Sequence, residues 1–333
     1  MSSPLDRLDQ QELERLVEEP LPDWLDPMLA TLTDERFSDP DWLFERKLDG
    51  ERVLAYRSAS GVRLVSRNGT ALGDTYPELV EAVQAATDHP CVLDGEVVAF
   101  EGSVTSFAKL QPRLQLSDPD EARASGVAVF YYVFDLLHLD GRSTRDLPLR
   151  RRKALLAAAL DAGDPVRLVP HRNEEGEAWL EEACAKGWEG LIAKRADAPY
   201  HHGRSRDWLK FTCVDQQELV IGGYTEPEGQ RQRFGALLVG YHEDGDLRYA
   251  GKVGTGFDGR TLEQLGDLLA RRERSTSPFE DGPEEPGVRF VTPDLVAQVG
   301  FTEWTRDGRL RHPRYLGLRD DKDASEVVRE RPT

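Results

Sequence analysis

At 333 residues with 39% apolar side chains, the chain has enough apolar mass for two packed domains, and no apolar run approaches the length of a membrane span. Its acidic N-terminus, "MSSPLDRLDQQELERL", lacks the features of a signal peptide, so a soluble cytoplasmic protein is the expectation. The net charge of −18 does not exclude nucleic acid, because residues 1–41 hold twelve acids against three arginines, a local net of −9.

Residues 1–26 read as an acidic leader, a fraying amphipathic helix. From 27 to 213, strand-like runs recur: "RVLAYR", "VRLVSR", "CVLDGEVVAF", "VAVFYYVFDLLHL" and "GLIAKR". Helix-like stretches, "YPELVEAVQAAT", "RRKALLAAALDA" and "EEGEAWLEEACAKG", lie between them. This texture predicts a mixed α+β domain. From about 214 it changes to short strands broken by turns, with one helix, "GRTLEQLGDLLARRE", and a surface loop, "STSPFEDGPEEPG", which together suggest a small barrel. Three basic runs, at 145–153, 229–234 and 305–319, could steer an anionic ligand. The three cysteines, 91, 184 and 213, are odd in number and far apart, so they read as buried apolar residues with no disulfide or zinc framework.

Among 43 basic residues only eight are lysine, and one opens "KLDGER" at 47–52. In an extended strand, residues i and i+2 share a face. Chargeable pairs stand at that spacing in or beside apolar runs: Lys47 with Asp49, Asp94 with Glu96, and Lys210 with Thr212. Asp135 follows Phe134 at a strand end. Carboxylates in such runs need cations or donors to answer them, so these strands are expected to border a cleft. Lys47, Arg52, Arg67 and Lys210 beside Asp49, Glu96 and Glu189 suit a polyphosphate with its magnesium. No P-loop motif is present, and "GTGFDG" (254–259) falls too late in the chain, without a following strand and ribose-binding acid, to be a dinucleotide fingerprint.

Six elements in order, "KLDGER" (47–52), "SRNG" (66–69), "DGE" (94–96), "VFDLL" (133–137), "EGLIAKR" (189–195) and "RDDK" (319–322), carry a resemblance. The chain resembles the ATP-dependent DNA ligases of the covalent nucleotidyltransferase superfamily, in particular the ligase domain of the bacterial end-joining ligase D family. That resemblance implies an α+β nucleotidyltransferase (adenylation) domain with mixed and antiparallel sheets over 27–213, then an OB-fold β-barrel over 214–333. It implies ATP and magnesium (or manganese) as cofactors, and Lys47 as the nucleophile that becomes lysyl-AMP.

The same resemblance gives Asp49, Glu96 and Glu189 to ribose or metal, the last two as the metal ligands. Arg52 and Arg67 go to ribose and the 5′-phosphate of a nick, Phe134 stacks on adenine, and Glu45 reads the base. Lys210, with the metal, is the candidate for activating the Lys47 amine, and the family's contact to the α-phosphate falls at position 212, while Arg319 and Lys322 orient the leaving pyrophosphate from the second domain, which closes on a hinge near 213–218. One departure stands out: the family's W-L-K-x-K reads "WLKFT" here, so Thr212 replaces its second lysine. The implied partners are nicked or broken duplex DNA and a Ku-like end binder, with the chain a monomer associated with the nucleoid. An RNA ligase or capping-type guanylyltransferase, and an end-binding protein that has lost turnover, remain open as alternatives.

Overall fold

Alternation of period two decides the architecture of the first part of the chain. The computed structural model describes residues 3–114, 116–213, 216–227, 233–283, 285–319 and 322–330. The chain divides into two compact units, one over residues 1–213 and the other over 214–330. The main strands of the first are β1 (Val17–Glu18), β2 (Met28–Leu32), β3 (Trp42–Arg46), β4 (Glu51–Ser58), β5 (Gly61–Ser66), β6 (Cys91–Val98), β7 (Phe130–Leu139), β8 (Arg142–Ser143), β9 (Val166–Leu168), β10 (His171–Asn173), β11 (Gly190–Arg195) and β12 (Gly203–Thr212). Its main helices are α1 (Gln10–Glu14), α2 (Pro77–Ala86), α3 (Phe107–Leu114), α4 (Leu149–Ala159) and α5 (Gly176–Ala185).

Two sheets result. One runs β1-β8-β7-β6-β4-β5, with β9 parallel to β7. The other runs β10-β3-β11-β12-β2, and only its β12–β2 pair is parallel. On the first sheet Val53, Ala55, Leu93 and Val133 pack against Leu79 and Val83 of α2 and Leu155 and Leu156 of α4. Their neighbours Leu54, Tyr56, Val92 and Phe134 turn the other way, into a core shared with Met28 and Trp208 of the second sheet. The back of the second sheet, Phe44, Leu191, Ala193, Leu209 and Phe211, packs on Trp179, Leu180 and Ala183 of α5. Each large apolar side chain among these contributes roughly 1.5–3 kcal/mol when fully buried, so a one-residue slip of β3, which would turn Glu45 away from its lysines and set it against α5 in place of Phe44, is strongly opposed.

The leader differs from expectation. Asp9 and Glu12 form a reciprocal cap on α1, and Leu5, Leu8 and Leu16 are buried in the core behind the first sheet. Apolar spacing anchors this acidic segment, and Leu25 continues it into the core between the sheets. Among the described residues, no helix is long and apolar enough to cross a membrane.

The second unit contains β13 (Gln216–Thr225), β14 (Leu237–Glu243), β15 (Asp246–Val253), α6 (Gly259–Ala270), β16 (Glu273–Arg274), β17 (Val288–Gly300) and β18 (Arg314–Leu318). The sheet order is β15-β14-β13-β17-β16, with β18 also on β17. The 275–287 segment is no simple surface loop, because Phe279 is buried in this unit's core, where the absent side chains of Gly222 and Gly240 leave room for its ring. "GTGFDG" serves packing: Gly256, at φ +94°, sits against the Tyr315 backbone, and the Asp258 carboxylate caps α6 by accepting from Thr261 N at 2.7 Å. The hinge expected near 213–218 and the basic run at 229–234 lie partly outside the described residues.

Candidate active site

Register in the second sheet aligns the polar residues. Glu45, Ile192 and Lys210 stand opposite one another across β3, β11 and β12. The next row continues the same face, with Gly190 opposite Thr212 and the Lys47 amide donating to the Gly190 carbonyl at 2.9 Å. The Lys47 ammonium ion-pairs with Glu189, which immediately precedes β11. On the facing sheet Arg52 and Glu96 are cross-strand partners, and Phe134 joins the core between the sheets. Glu45, Lys47, Arg52, Glu96, Phe134, Glu189 and Lys210 therefore all belong to the inner side of one two-sheet unit.

The contacts within it refine several expectations. Arg52 grips Asp94 through two bonds of 2.5 and 2.6 Å, and its guanidinium lies 4.5 Å from the Phe134 ring centre. Burial alone would lower the Arg52 pKa, but Asp94 outweighs it and raises the value. Asp94, fully buried, also accepts from the Tyr200 hydroxyl at 2.7 Å. It is thus a structural counter-ion, and much of the Arg52 fork is already committed. Asp49 holds the start of α3, accepting from the Phe107 amide at 3.0 Å, while its own amide donates to the Thr105 hydroxyl at 3.1 Å. Arg67 is half-exposed in a tight turn closed by Gly69 N donating to Ser66 O at 3.0 Å, with Gly69 at φ +85°. Arg319 and Lys322 belong to the second unit, where Arg319 N donates to Val296 O at 2.7 Å and the Lys322 ammonium lies 3.2 Å from Glu218.

Glu45 is 2% exposed and sits between two ammonium groups, Lys153 at 2.6 Å and Lys194 at 2.7 Å. Burial would raise its pKa, but the two lysines outweigh burial and hold it below the ordinary value. Burial is also the largest influence on Lys194, lowering it to about 8 against the opposing pull of Glu45. The Lys194 ammonium lies 4.0 Å from the ring centres of both Phe134 and Trp208. Phe134 therefore carries two cations on its π system, a constraint on any base stacked there.

Sequence reasoning passed over Lys153, Lys194, Tyr200 and Trp208. Lys194 had a usable signal, since its parity within "GLIAKR" matches Ile192 on the inner face; Lys153 had none, because "RRRK" reads as a solvated run. The cysteine expectation is corrected outright. Cys184 and Cys213 form a disulfide with Cα atoms 5.2 Å apart, and only Cys91 is free and buried. Their 29-residue separation hides a spatial neighbourhood created when β11 and β12 double back under α5.

Among the described residues there is no group of three or more His, Cys, Asp or Glu placed to hold a metal. Glu96 and Glu189 nonetheless supply the right donors for magnesium, a hard ion that takes one or two carboxylates and completes its shell with water and phosphate oxygens.

Two family models match the chain: the ATP dependent DNA ligase domain over residues 27–212 and the ATP dependent DNA ligase C terminal region over 230–322. The chain is 38% identical over 322 residues to the multifunctional non-homologous end joining protein LigD of Pseudomonas aeruginosa, covering 94% of this chain and 37% of that protein. The corresponding DNA repair protein LigD of Mycobacterium tuberculosis H37Rv is 39% identical over 317 residues, covering 92% of this chain and 40% of that one. The chain thus spans about two fifths of the length of these curated relatives. A solved structure of mycobacterial DNA ligase D complexed with ATP and MES superposes with a TM-score of 0.66 at 37% identity, covering 92% of this chain and 98% of that one.

Proposed function

Since the chain belongs to the ATP-dependent DNA ligases, we propose that it seals nicks or breaks in duplex DNA through an adenylate carried on Lys47. The observation that supports this most directly is the Lys47–Glu189 pair, set in the same face as Glu45 and Lys210 and in the same unit as Arg52 and Phe134.

The Lys47 amine attacks the α-phosphorus of ATP, a P–N bond forms, and the α–β bridging P–O bond breaks to release pyrophosphate. Attack needs the unprotonated amine, which the Glu189 carboxylate disfavours, so separating this pair and removing the proton belong to the step. Lys210 supplies positive charge where negative charge develops on the phosphate oxygens, with Thr212 limited to a hydroxyl donor. Glu45 accepts from the exocyclic amine of the base, which lies between Phe134 and Ile192. Arg52 and Arg67 face the sugar and the DNA 5′-phosphate, and Asp49 is the third candidate for the sugar. Glu96 and Glu189 would hold magnesium or manganese, whose charge, when bound, stabilises phosphoryl oxygens.

The AMP then passes to a DNA 5′-phosphate, and the neighbouring 3′-hydroxyl displaces it to close the strand. Arg319 and Lys322 of the second unit orient the pyrophosphate during the first step. A Ku-like end binder, suggested by the kinship with end-joining proteins, a monomeric state and a place on the nucleoid in the cytoplasm complete the reading. Incubation with α-labelled ATP and magnesium, then nicked duplex, tests it. Wild type is expected to hold label through denaturation and pass it to DNA on sealing, while Lys47→Ala holds none. Label persisting on Lys47→Ala, or absent from wild type, would overturn it, and label from GTP instead would favour a capping-type enzyme.

A further inference from the structure

Lys153 follows directly on the first turn of α4, whose backbone is fastened to the rest of the unit. The Leu149 and Arg150 amides donate to the carbonyls of Ala198 and Ala196, at 3.1 and 2.9 Å. The adjacent Arg152 is fully buried and grips Asp135 with bonds of 2.7 and 2.9 Å. From this fixed base the Lys153 ammonium reaches two strands of different sheets. It lies 2.6 Å from Glu45 Oε1 on β3 and donates to the Phe134 carbonyl on β7 at 3.2 Å. Its side chain is 9% exposed, so this ion pair is formed largely out of water, where opposite charges attract more strongly.

We propose that Lys153 is a positioning residue for base recognition, tying the carboxylate that reads the base to the strand whose aromatic ring the base lies against. This deepens the ligase reading above and rests on it. The ammonium directs a donor at one wall of the slot, the Phe134 carbonyl, and faces the Glu45 carboxylate on the opposite wall with its charge. Lys194 fixes the other Glu45 oxygen at 2.7 Å, so the carboxylate plane cannot swing. Each carboxylate oxygen still has a lone pair to spare. It can accept from a 6-amino group but not from a 6-oxo group, which makes its fixed aim a discriminator between purines. Without Lys153, Glu45 loses one of two cations in a dry site and the two walls lose their shared tie.

The test compares wild type, Lys153→Met and Lys153→Arg with ATP and with purine riboside triphosphate, which lacks the 6-amino group. Calorimetric binding and the rate of self-adenylylation are both measured. In Lys153→Met the ATP dissociation constant is expected to rise about tenfold, while the saturated rate falls less than about threefold. Binding of the analogue is expected to change less than about twofold, and Lys153→Arg is expected to recover most of the ATP affinity. Equal loss for both nucleotides, or a fall in saturated rate with ATP affinity intact, would overturn the proposal. Because binding is read without turnover, an unlabelled wild-type enzyme would count against the covalent mechanism and leave Lys153 to be judged by the calorimetry.

Discussion

At the scale of single residues, Thr212 is where this site departs from its family's pattern, and its position can now be specified. It shares a strand face with Lys210, stands opposite Gly190, and Gly190 in turn accepts from the Lys47 amide. A lysine there would extend over a glycine, with no side chain across the strand to oppose it. Thr212→Lys is therefore expected to speed single-turnover adenylylation by roughly tenfold, part of the large effect of a charged donor at a reacting phosphate. An unchanged rate would mean another cation already fills the role. Lys47 and Lys210 stood out in the sequence as chargeable residues at strand spacing in or beside apolar runs, and Glu45 only through the resemblance; that they share one face comes from the register of the sheet. Lys153 was hidden because its function comes from a helix entering beside two strands, which no local spacing encodes.

At the scale of elements, α4 is fastened by the Arg152–Asp135 pair, both partners being fully buried. The sequence singled out Asp135 as a strand-end acid beside a stacking ring; the structure makes it the counter-ion that seats the helix. Burial would raise its pKa, but Arg152 outweighs this and holds it below the ordinary value. The folded state then binds the proton more weakly than the unfolded chain, so this contribution is complete above the unfolded value near 4 and fades as pH falls through the lowered one. The melting temperature of the first unit is expected to decline on acidification below about pH 4, and Arg152→Met is expected to cost about 3–5 kcal/mol at neutral pH by stranding a buried carboxylate. A Met variant as stable as wild type at pH 7 would contradict this. The elements with a clear apolar period, such as β6, β7, α2 and α4, were readable to within a few residues, whereas β2 and α3 were not picked out. Phe279 was misread because a lone aromatic among Pro, Gly and acids gives no periodic signal of burial.

At the scale of the whole molecule, an adenylation fold followed by an OB-fold domain was legible from ordered motifs, although composition suggested only a mixed domain and a barrel. The leader and the disulfide were not, because both depend on long-range contacts. The bond between Cys184 and Cys213 joins positions 29 apart in sequence, and closing such a loop stabilises by about 3–4 kcal/mol on a chain-entropy account. A reducing agent is expected to lower the melting temperature of wild type but not of a Cys184→Ser/Cys213→Ser variant. Identical responses would show that the bond does not form in solution. The closed segment contains Glu189, Lys194, Trp208, Lys210 and Thr212, and its exposed Lys186 and Arg195 are natural points of tryptic attack. A cut at either would therefore sever the polypeptide without parting it: the fragment bearing Lys47 and the fragment bearing Lys210 would migrate together until the sulfurs were reduced.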